Sequence, residues 1–317
     1  MVGGWFDAED MFGALNTYKA IEQQNPANNN YLVMAPWTHG AWEMYKWNHF
    51  AGYSFNQDLN ARFQQMEFNF FNYYLKNEGS FDAAEATIFV TGSNQWEGFA
   101  AWPPKELTHA TWYLNNNHEL LLQQGKLKGK DEYVSDPANP VPYINQHSDD
   151  RINEYMAADQ SFAAQRNDVV YYESSPLQKD ITVLGPITAN LYVSLSGTDA
   201  DFVVKVIDVL PDNNNTQQLV RAEVLRGKFR NSFEKPEPFT PNQSTRVNFQ
   251  LNDVAHTFLK GHRIMVQVQS SWFPLVDRNP QQFMDIPAAQ DSDFKKERIT
   301  ILHDATHPSA IEVGIRE

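Results

Sequence analysis

A chain of 317 residues, 42% apolar and 13% aromatic, is long enough for two ordinary domains and too apolar to be disordered as a whole. A formal charge of −14 at pH 7 argues against nucleic acid as a partner, because that binding needs a basic face. The absence of cysteine removes disulfides, thiolate-ligated zinc and a cysteine nucleophile together.

In chain order, Met1-Val2-Gly3-Gly4-Trp5 reads as the end of a strand feeding an acidic loop. A domain seldom begins at the end of a central strand, so the start looks cut. Residues 8–24 read as a helix. Met11, Ala14, Leu15, Tyr18 and Ile21 make one stripe, Glu9 and Asp10 lie in the first turn, and Asn25-Pro26 ends it. Tyr31-Leu32-Val33-Met34-Ala35 is a short apolar run of the kind buried on both faces of a sheet. Residues 57–77 read as a long helix with Leu59, Phe63, Met66, Phe70, Phe71, Tyr74 and Leu75 on one side, closed by Asn77-Glu78-Gly79. From about residue 83 helical periodicity stops. Strands are expected at 86–91, 110–115, 169–173, 181–195, 201–210, 218–229, 244–251, 262–271 and 297–302. Leu191, Val193 and Leu195 share one face and Asn190, Ser194 and Ser196 the other, with Tyr192 breaking the pattern. Many short strands between turns argue for a jelly-roll β-sandwich. Residues 123–165 read as a long polar excursion with a short helix near 153–165, and Asn213-Asn214-Asn215 as a loop tip. No apolar run approaches eighteen residues, so no membrane-spanning helix is expected.

The chemistry concentrates in the first forty residues. Asp7 and His39 follow two successive strands of an α/β arrangement, at the edge where such sheets place their chemistry. An acid followed by a histidine in that setting is the back half of an α/β-hydrolase triad, whose chain order is Ser, Asp, His. Alone, Asp7 ahead of a helix is more often an N-cap, and a lone His39 on a loop is more often structural. Together, one β-α-β step apart, they point to catalysis. Glu9 and Asp10 are accounted for by the helix dipole. His49, His109, His118, His147, His256, His262, His303 and His307 show no metal-ligand spacing and read as structural or exposed. Asp291-Ser292-Asp293 offers too few oxygens for calcium, and Gly3-Gly4 is not a phosphate loop. No metal and no cofactor is expected. Trp5, Trp37, Trp42 and Trp47 crowd the site edge, mostly as packing, with one or two able to line an acyl pocket.

Gly4-Trp5-Phe6-Asp7-Ala8-Glu9-Asp10-Met11-Phe12-Gly13 and Pro36-Trp37-Thr38-His39-Gly40 resemble the acid and base motifs of the α-amino-acid ester hydrolases and glutaryl-7-aminocephalosporanic acid acylases, in the cocaine esterase and X-Pro dipeptidyl-peptidase group. The resemblance continues through Phe89-Val90-Thr91-Gly92-Ser93-Asn94-Gln95-Trp96 and Trp102-Pro103-Pro104. It returns at Ser175-Pro176-Leu177, Gly185-Pro186 and the run Asp201 to Val209. Late in the chain it covers Lys260-Gly261-His262-Arg263-Ile264, Ser270-Ser271-Trp272-Phe273-Pro274 and Asp277-Arg278-Asn279-Pro280.

The resemblance implies the C-terminal remnant of an α/β-hydrolase domain (residues 1–82) followed by an all-β jelly-roll sandwich (83–317) of galactose-binding-like type. It makes Asp7 the triad acid and His39 the general base. The family's Gly-x-Ser-Tyr-x-Gly nucleophile elbow, its cap helices and its ammonium-binding acidic cluster are absent from this sequence. The expected partners are therefore a small acyl ester, amide or peptide substrate in a full-length parent, and an N-terminal hydrolase segment not present here. A truncated sheet with an apolar edge and face also allows a homo-oligomer. Neither nucleic acid nor membrane is expected, and the parent is expected to be periplasmic or secreted. The acid motif is closer to the ester hydrolases and acylases than to the dipeptidyl-peptidases. The alternative is a stand-alone β-sandwich binding or assembly module without catalysis.

Overall fold

The structure, a computed structural model, describes residues 1–25 and 27–316. Its first elements are β1 (Val2–Gly4), α1 (Met11–Gln24), β2 (Leu32–Ala35), β3 (His49–Phe50), β4 (Tyr53–Ser54), α2 (Leu59–Phe71), β5 (Ala86–Val90) and β6 (Gln95–Phe99). The rest is almost entirely strand: β7 (Thr108–Asn115), β8 (Glu119–Leu121), β9 (Lys130–Ser135), a single helical turn α3 (Ser161–Ala164), β10 (Val169–Glu173), β11 (Ile181–Leu195), β12 (Asp201–Val209), β13 (Gln217–Arg226), β14 (Thr245–Phe258), β15 (Arg263–Gln269), β16 (Glu297–Leu302) and β17 (Ala310–Arg316). The protein is mostly β.

The first part is a four-stranded sheet in the order β1-β2-β5-β6. β1, β2 and β5 run parallel and β6 antiparallel. Successive side chains of a strand point to opposite faces, so a strand buried on both faces must be apolar throughout. That is the condition of β2. Leu32 and Met34 pack with Met11, Leu15 and Tyr18 of α1, while Val33 and Ala35 pack with Leu59 and Phe63 of α2.

Eleven strands, β7 to β17, form the second part. Hydrogen bonds run through them in the order β13-β12-β15-β10-β8-β7-β17-β11-β16-β9, with β14 on β11. This is one continuous ladder rather than two separate sheets, and residues from all eleven strands enclose a single apolar core. From Ile187 to Leu195, β11 alternates buried and half-buried without a break. Tyr192 therefore belongs on the outer face with Asn190 and Ser194, where its ring meets His307 at 5.5 Å. The β11–β14 register shifts between Gly185 and Ile187, at Pro186, which has no N–H to give the ladder.

Several expectations need correction. α1 starts at Met11 rather than residue 8, because Asp10 is its N-cap and accepts from Gly13 N at 3.0 Å. Glu9 and Asp10 therefore precede the helix instead of filling its first turn. Asn25 caps the other end, and Pro26 lies outside the described residues. α2 ends at Phe71 and continues as a π-type turn, Asn72–Lys76, before Asn77 at φ 57°. Only the start of its apolar side is buried; Phe71, Tyr74 and Leu75 are exposed. The excursion 123–165 contains a full strand, β9, and its helix resolves into a 3-10 turn at Asn153–Met156 and α3. β14 runs seven residues beyond the expected 251, and β6, β8 and β17 were unexpected.

The two parts share core. Leu184 of β11 and Ala255 of β14 pack into the cluster around α1. Lys19 of α1 pairs with Asp253 at 2.8 Å, and Trp102 Nε1 donates to the same carboxylate at 2.8 Å. Thr91 N donates to Ala255 O at 3.0 Å and Thr257 N to Thr91 O at 2.8 Å.

Candidate active site

Parallel pairing puts the carboxyl ends of β1 and β2 side by side, with Gly4 opposite Ala35. Gly4 allows this approach, since a Cβ there would lie 2.1 Å from Trp37 O. The chain leaves β1 through a turn closed by Asp7 N donating to Gly4 O at 3.2 Å. Trp5 and Phe6 at its centre are buried, and Trp5 Nε1 donates to Phe89 O at 2.9 Å.

The loop after β2 is held from below. Trp37 Nε1 donates to Asn60 Oδ1 at 2.7 Å, and Asn60 Nδ2 donates to the carbonyls of Ala41 and Met44, both at 2.8 Å. Trp47 Nε1 donates to Pro36 O at 2.8 Å. Gly40 takes a left-handed φ of 69°, which turns the chain directly after His39. Trp5, Trp37 and Trp47 are thus packing and loop-holding residues. Trp42 lies 6.3 Å from the His39 ring.

The two loops bring Asp7 and His39 together. Asp7 is buried; its Oδ2 faces His39 Nδ1 at 3.0 Å, and its Oδ1 accepts from the backbone N–H groups of Glu9 and Asp10 at 2.9 and 3.0 Å. Asp7 therefore does not cap α1. Its first oxygen orders the acidic loop and its second is free for the histidine. The His39 side chain is 53% exposed. The Asp7 hydrogen bond, with the nearby charges of Asp7, Glu9 and Asp10, raises the His39 pKa above the ordinary value. A carboxylate accepting from Nδ1–H leaves Nε2 as the basic nitrogen. Among the described residues, Nε2 meets only the Glu9 carboxylate, at 4.0 Å. Glu9 in turn pairs with Arg151 at 2.8 Å.

Beside Asp7 is a cavity of about 170 Å³ lined among others by Glu9, Tyr155, Arg221, Glu223 and Trp272. Arg221, from β13, is a residue the sequence reading missed. It is buried and donates from Nη1 to Trp5 O at 3.0 Å. Lys205, from β12, was missed too; it is fully buried and bonds Gln160 Oε1 at 2.8 Å. Two of the histidines read as structural, His256 and His262, flank the Asp208 carboxylate at 3.2 and 2.8 Å.

Comparison with known proteins places this geometry in a family context. Residues 79–312 match the X-Pro dipeptidyl-peptidase C-terminal non-catalytic domain. The chain is 28% identical over 294 residues to a cocaine esterase from Rhodococcus sp. (strain MB1 Bresler), covering 88% of this chain and 49% of the esterase. An aminopeptidase from the marine sediment archaeon Thaumarchaeota archaeon superposes with a TM-score of 0.94 at 36% identity, covering all of this chain and 54% of that one. An α-amino acid ester hydrolase superposes at 0.93 with 35% identity, over 99% of this chain and 54% of that one. The chain spans about half the length of the curated relatives it matches. Asp7 and His39 fall outside the family-matched residues and within the span covered by the archaeal aminopeptidase structure.

Proposed function

Because the chain belongs to the family of X-Pro dipeptidyl-peptidase C-terminal non-catalytic domains, whose relatives here are esterases and hydrolases, we propose that it is the C-terminal part of a serine hydrolase acting on acyl esters or amides. In this reading residues 1–82 are the last portion of an α/β-hydrolase domain and residues 83–317 its jelly-roll sandwich. The observation that carries it is the 3.0 Å contact between buried Asp7 Oδ2 and His39 Nδ1 at the carboxyl ends of two parallel strands.

The chemistry follows from that contact. Asp7 holds His39 with Nδ1 protonated, so Nε2 can take the proton of a serine hydroxyl as the hydroxyl oxygen attacks the acyl carbonyl. The imidazolium that forms is stabilised by the Asp7 carboxylate, and Nε2 then returns the proton to the leaving alcohol or amine. The serine is supplied by a segment beyond these 317 residues. The Glu9 carboxylate, 4.0 Å from His39 Nε2 and shared with Arg151, suits an acyl group carrying a positive charge, such as an α-amino acyl ester or a peptide N-terminus. That substrate class agrees with the structural relatives, an aminopeptidase and an α-amino acid ester hydrolase.

The test is an ester assay on two proteins: the chain alone, and the chain joined at its start to the N-terminal half of a relative bearing a Gly-x-Ser-Tyr-x-Gly elbow. The chain alone is expected to hydrolyse p-nitrophenyl esters no faster than buffer. The joined protein is expected to be active and to lose roughly 10⁴-fold or more with His39→Ala. Activity of the chain alone that His39→Ala abolishes overturns the need for an outside nucleophile. Joined activity that survives His39→Ala overturns the role given to the pair.

A further inference from the structure

The turn that carries Asp7 is buried, so each of its backbone polar groups needs a partner. Trp5 N donates to Ala35 O at 2.7 Å, Phe6 N to Trp37 O at 3.0 Å, and Asp7 N to Gly4 O at 3.2 Å. These partners come from β1, β2 and the loop after β2. The Trp5 carbonyl is met from elsewhere: Arg221 Nη1 reaches it at 3.0 Å from β13, in the eleven-stranded part. Arg221 is 3% exposed, and its Nε has no hydrogen-bond partner among the described residues. Burial pushes the guanidinium down to about 10, and its titratable neighbours are Glu223, Asp253, Tyr53 and Tyr155. Burying a cation is costly; the Glu223 and Asp253 carboxylates offset part of that cost through space, and the guanidinium's hydrogen bond goes to the carbonyl that the turn leaves unpaired. Arg221 and Asp7 also line the same cavity.

We propose that Arg221 is a positioning residue for the Asp7–His39 pair, a side chain of the β part that fixes the turn from which Asp7 reaches the histidine. This rests on reading Asp7 and His39 as the acid and base. On it, the region matching a non-catalytic domain donates no reacting group but sets the geometry of one. Loss of Arg221 frees the Trp5 carbonyl, loosens the turn two residues before Asp7 and lengthens the Asp7–His39 bond.

The experiment is an NMR titration of the His39 ring in the whole chain, with the resonance assigned from the spectrum of His39→Gln. Wild type, Arg221→Met and Arg221→Lys are compared. The charged groups acting on His39 are Asp7, Glu9 and Asp10, with Arg151 paired to Glu9. Wild-type His39 is expected above the ordinary histidine value of about 6.5. Arg221→Met is expected to lower it by about half a unit or more, because the hydrogen bond that raises it weakens. Arg221→Lys, which keeps the charge but not the fork, is expected to fall between the two. If the methionine variant loses its dispersed histidine and methyl resonances, the lysine variant carries the test alone. An upward shift in the methionine variant means Arg221 acts through its charge, an upward shift in the lysine variant means the Asp7–His39 bond does not weaken without the fork, and no shift means Arg221 is merely structural; each overturns the proposal. The titration reads the Asp7–His39 bond whether or not the pair is catalytic. The functional reading fails separately, in the His39→Ala assay of the joined protein.

Discussion

Lys205 sits in the middle of β12 with no exposed surface and, among the described residues, one hydrogen-bond partner, Gln160 Oε1 at 2.8 Å. The rings of Phe162 and Trp272 lie 5.9 and 5.8 Å from its nitrogen and return some stability to the ammonium form. Burial outweighs this and brings the amine down to about 7. The folded pKa is therefore below the unfolded value of about 10.4. Between those values the unfolded chain holds the proton and the folded one does not, so stability rises with pH across that window and the full cost is present below it. Lys205→Met removes the titrating group. The variant is expected to gain more stability, relative to wild type, at about pH 7 than at about pH 9.5, by up to about 3 kcal/mol. Urea unfolding of both proteins at the two pH values measures it, and identical pH slopes would mean the lysine keeps its charge in the fold. Lys205 and Arg221 were illegible in the sequence for one reason. A cation within a strand reads as a solvent-facing position, and only distant segments show that it is covered. Asp7 was half legible: the sequence offered cap or triad acid, and the cap is Asp10.

At the scale of elements, the approach of β1 to β2 depends on a missing side chain. Gly4 pairs with Ala35, and a methyl group there would meet Trp37 O at 2.1 Å. The obstacle is the backbone of a buried tryptophan in the loop after β2, which cannot rotate away. Gly4→Ala is expected to cost about 1–3 kcal/mol of stability in urea unfolding. It is also expected to return the His39 titration toward the ordinary histidine value, because it pushes apart the loops that carry the pair. A variant with wild-type stability and an unmoved His39 would show that the strands can separate without disturbing the site. The elements around this contact were readable because each is local: an apolar stripe for α1, a two-sided apolar run for β2. β9 was not. Lys130–Ser135 is half charged and lies on the polar excursion, and it becomes a strand only through its ladder with Glu297–Leu302 of β16. Pairing with a distant partner overrides a weak local preference for the strand.

The whole molecule is joined through Asp253. Its buried carboxylate takes Lys19 on one oxygen and Trp102 Nε1 on the other, and the core around α1 includes Leu184 and Ala255 from the β part. With core shared in this way, the chain is expected to unfold in one calorimetric transition. Asp253→Ala leaves a buried indole N–H without a partner and frees Lys19. It is expected to cost about 2–3 kcal/mol and to separate the part with the four-stranded sheet from the eleven-stranded part as an earlier transition. Scanning calorimetry of the two proteins decides this. Two transitions already present in wild type would mean the parts are energetically independent.

The sequence alone determined what depends on neighbours in the chain. It specified the two helices, most strand positions, the family resemblance and the acid and histidine one β-α-β step apart, because hydrophobic period, turn residues and short motifs are local signals. The tertiary structure decided what depends on contacts between distant segments. It closed Asp7 onto His39 at 3.0 Å, gave the cap of α1 to Asp10, and joined eleven strands into one ladder. It also carried Arg221 across from β13 to a carbonyl 216 residues earlier. No local pattern encodes that contact, because its stability comes from burying two surfaces that meet only in the folded chain.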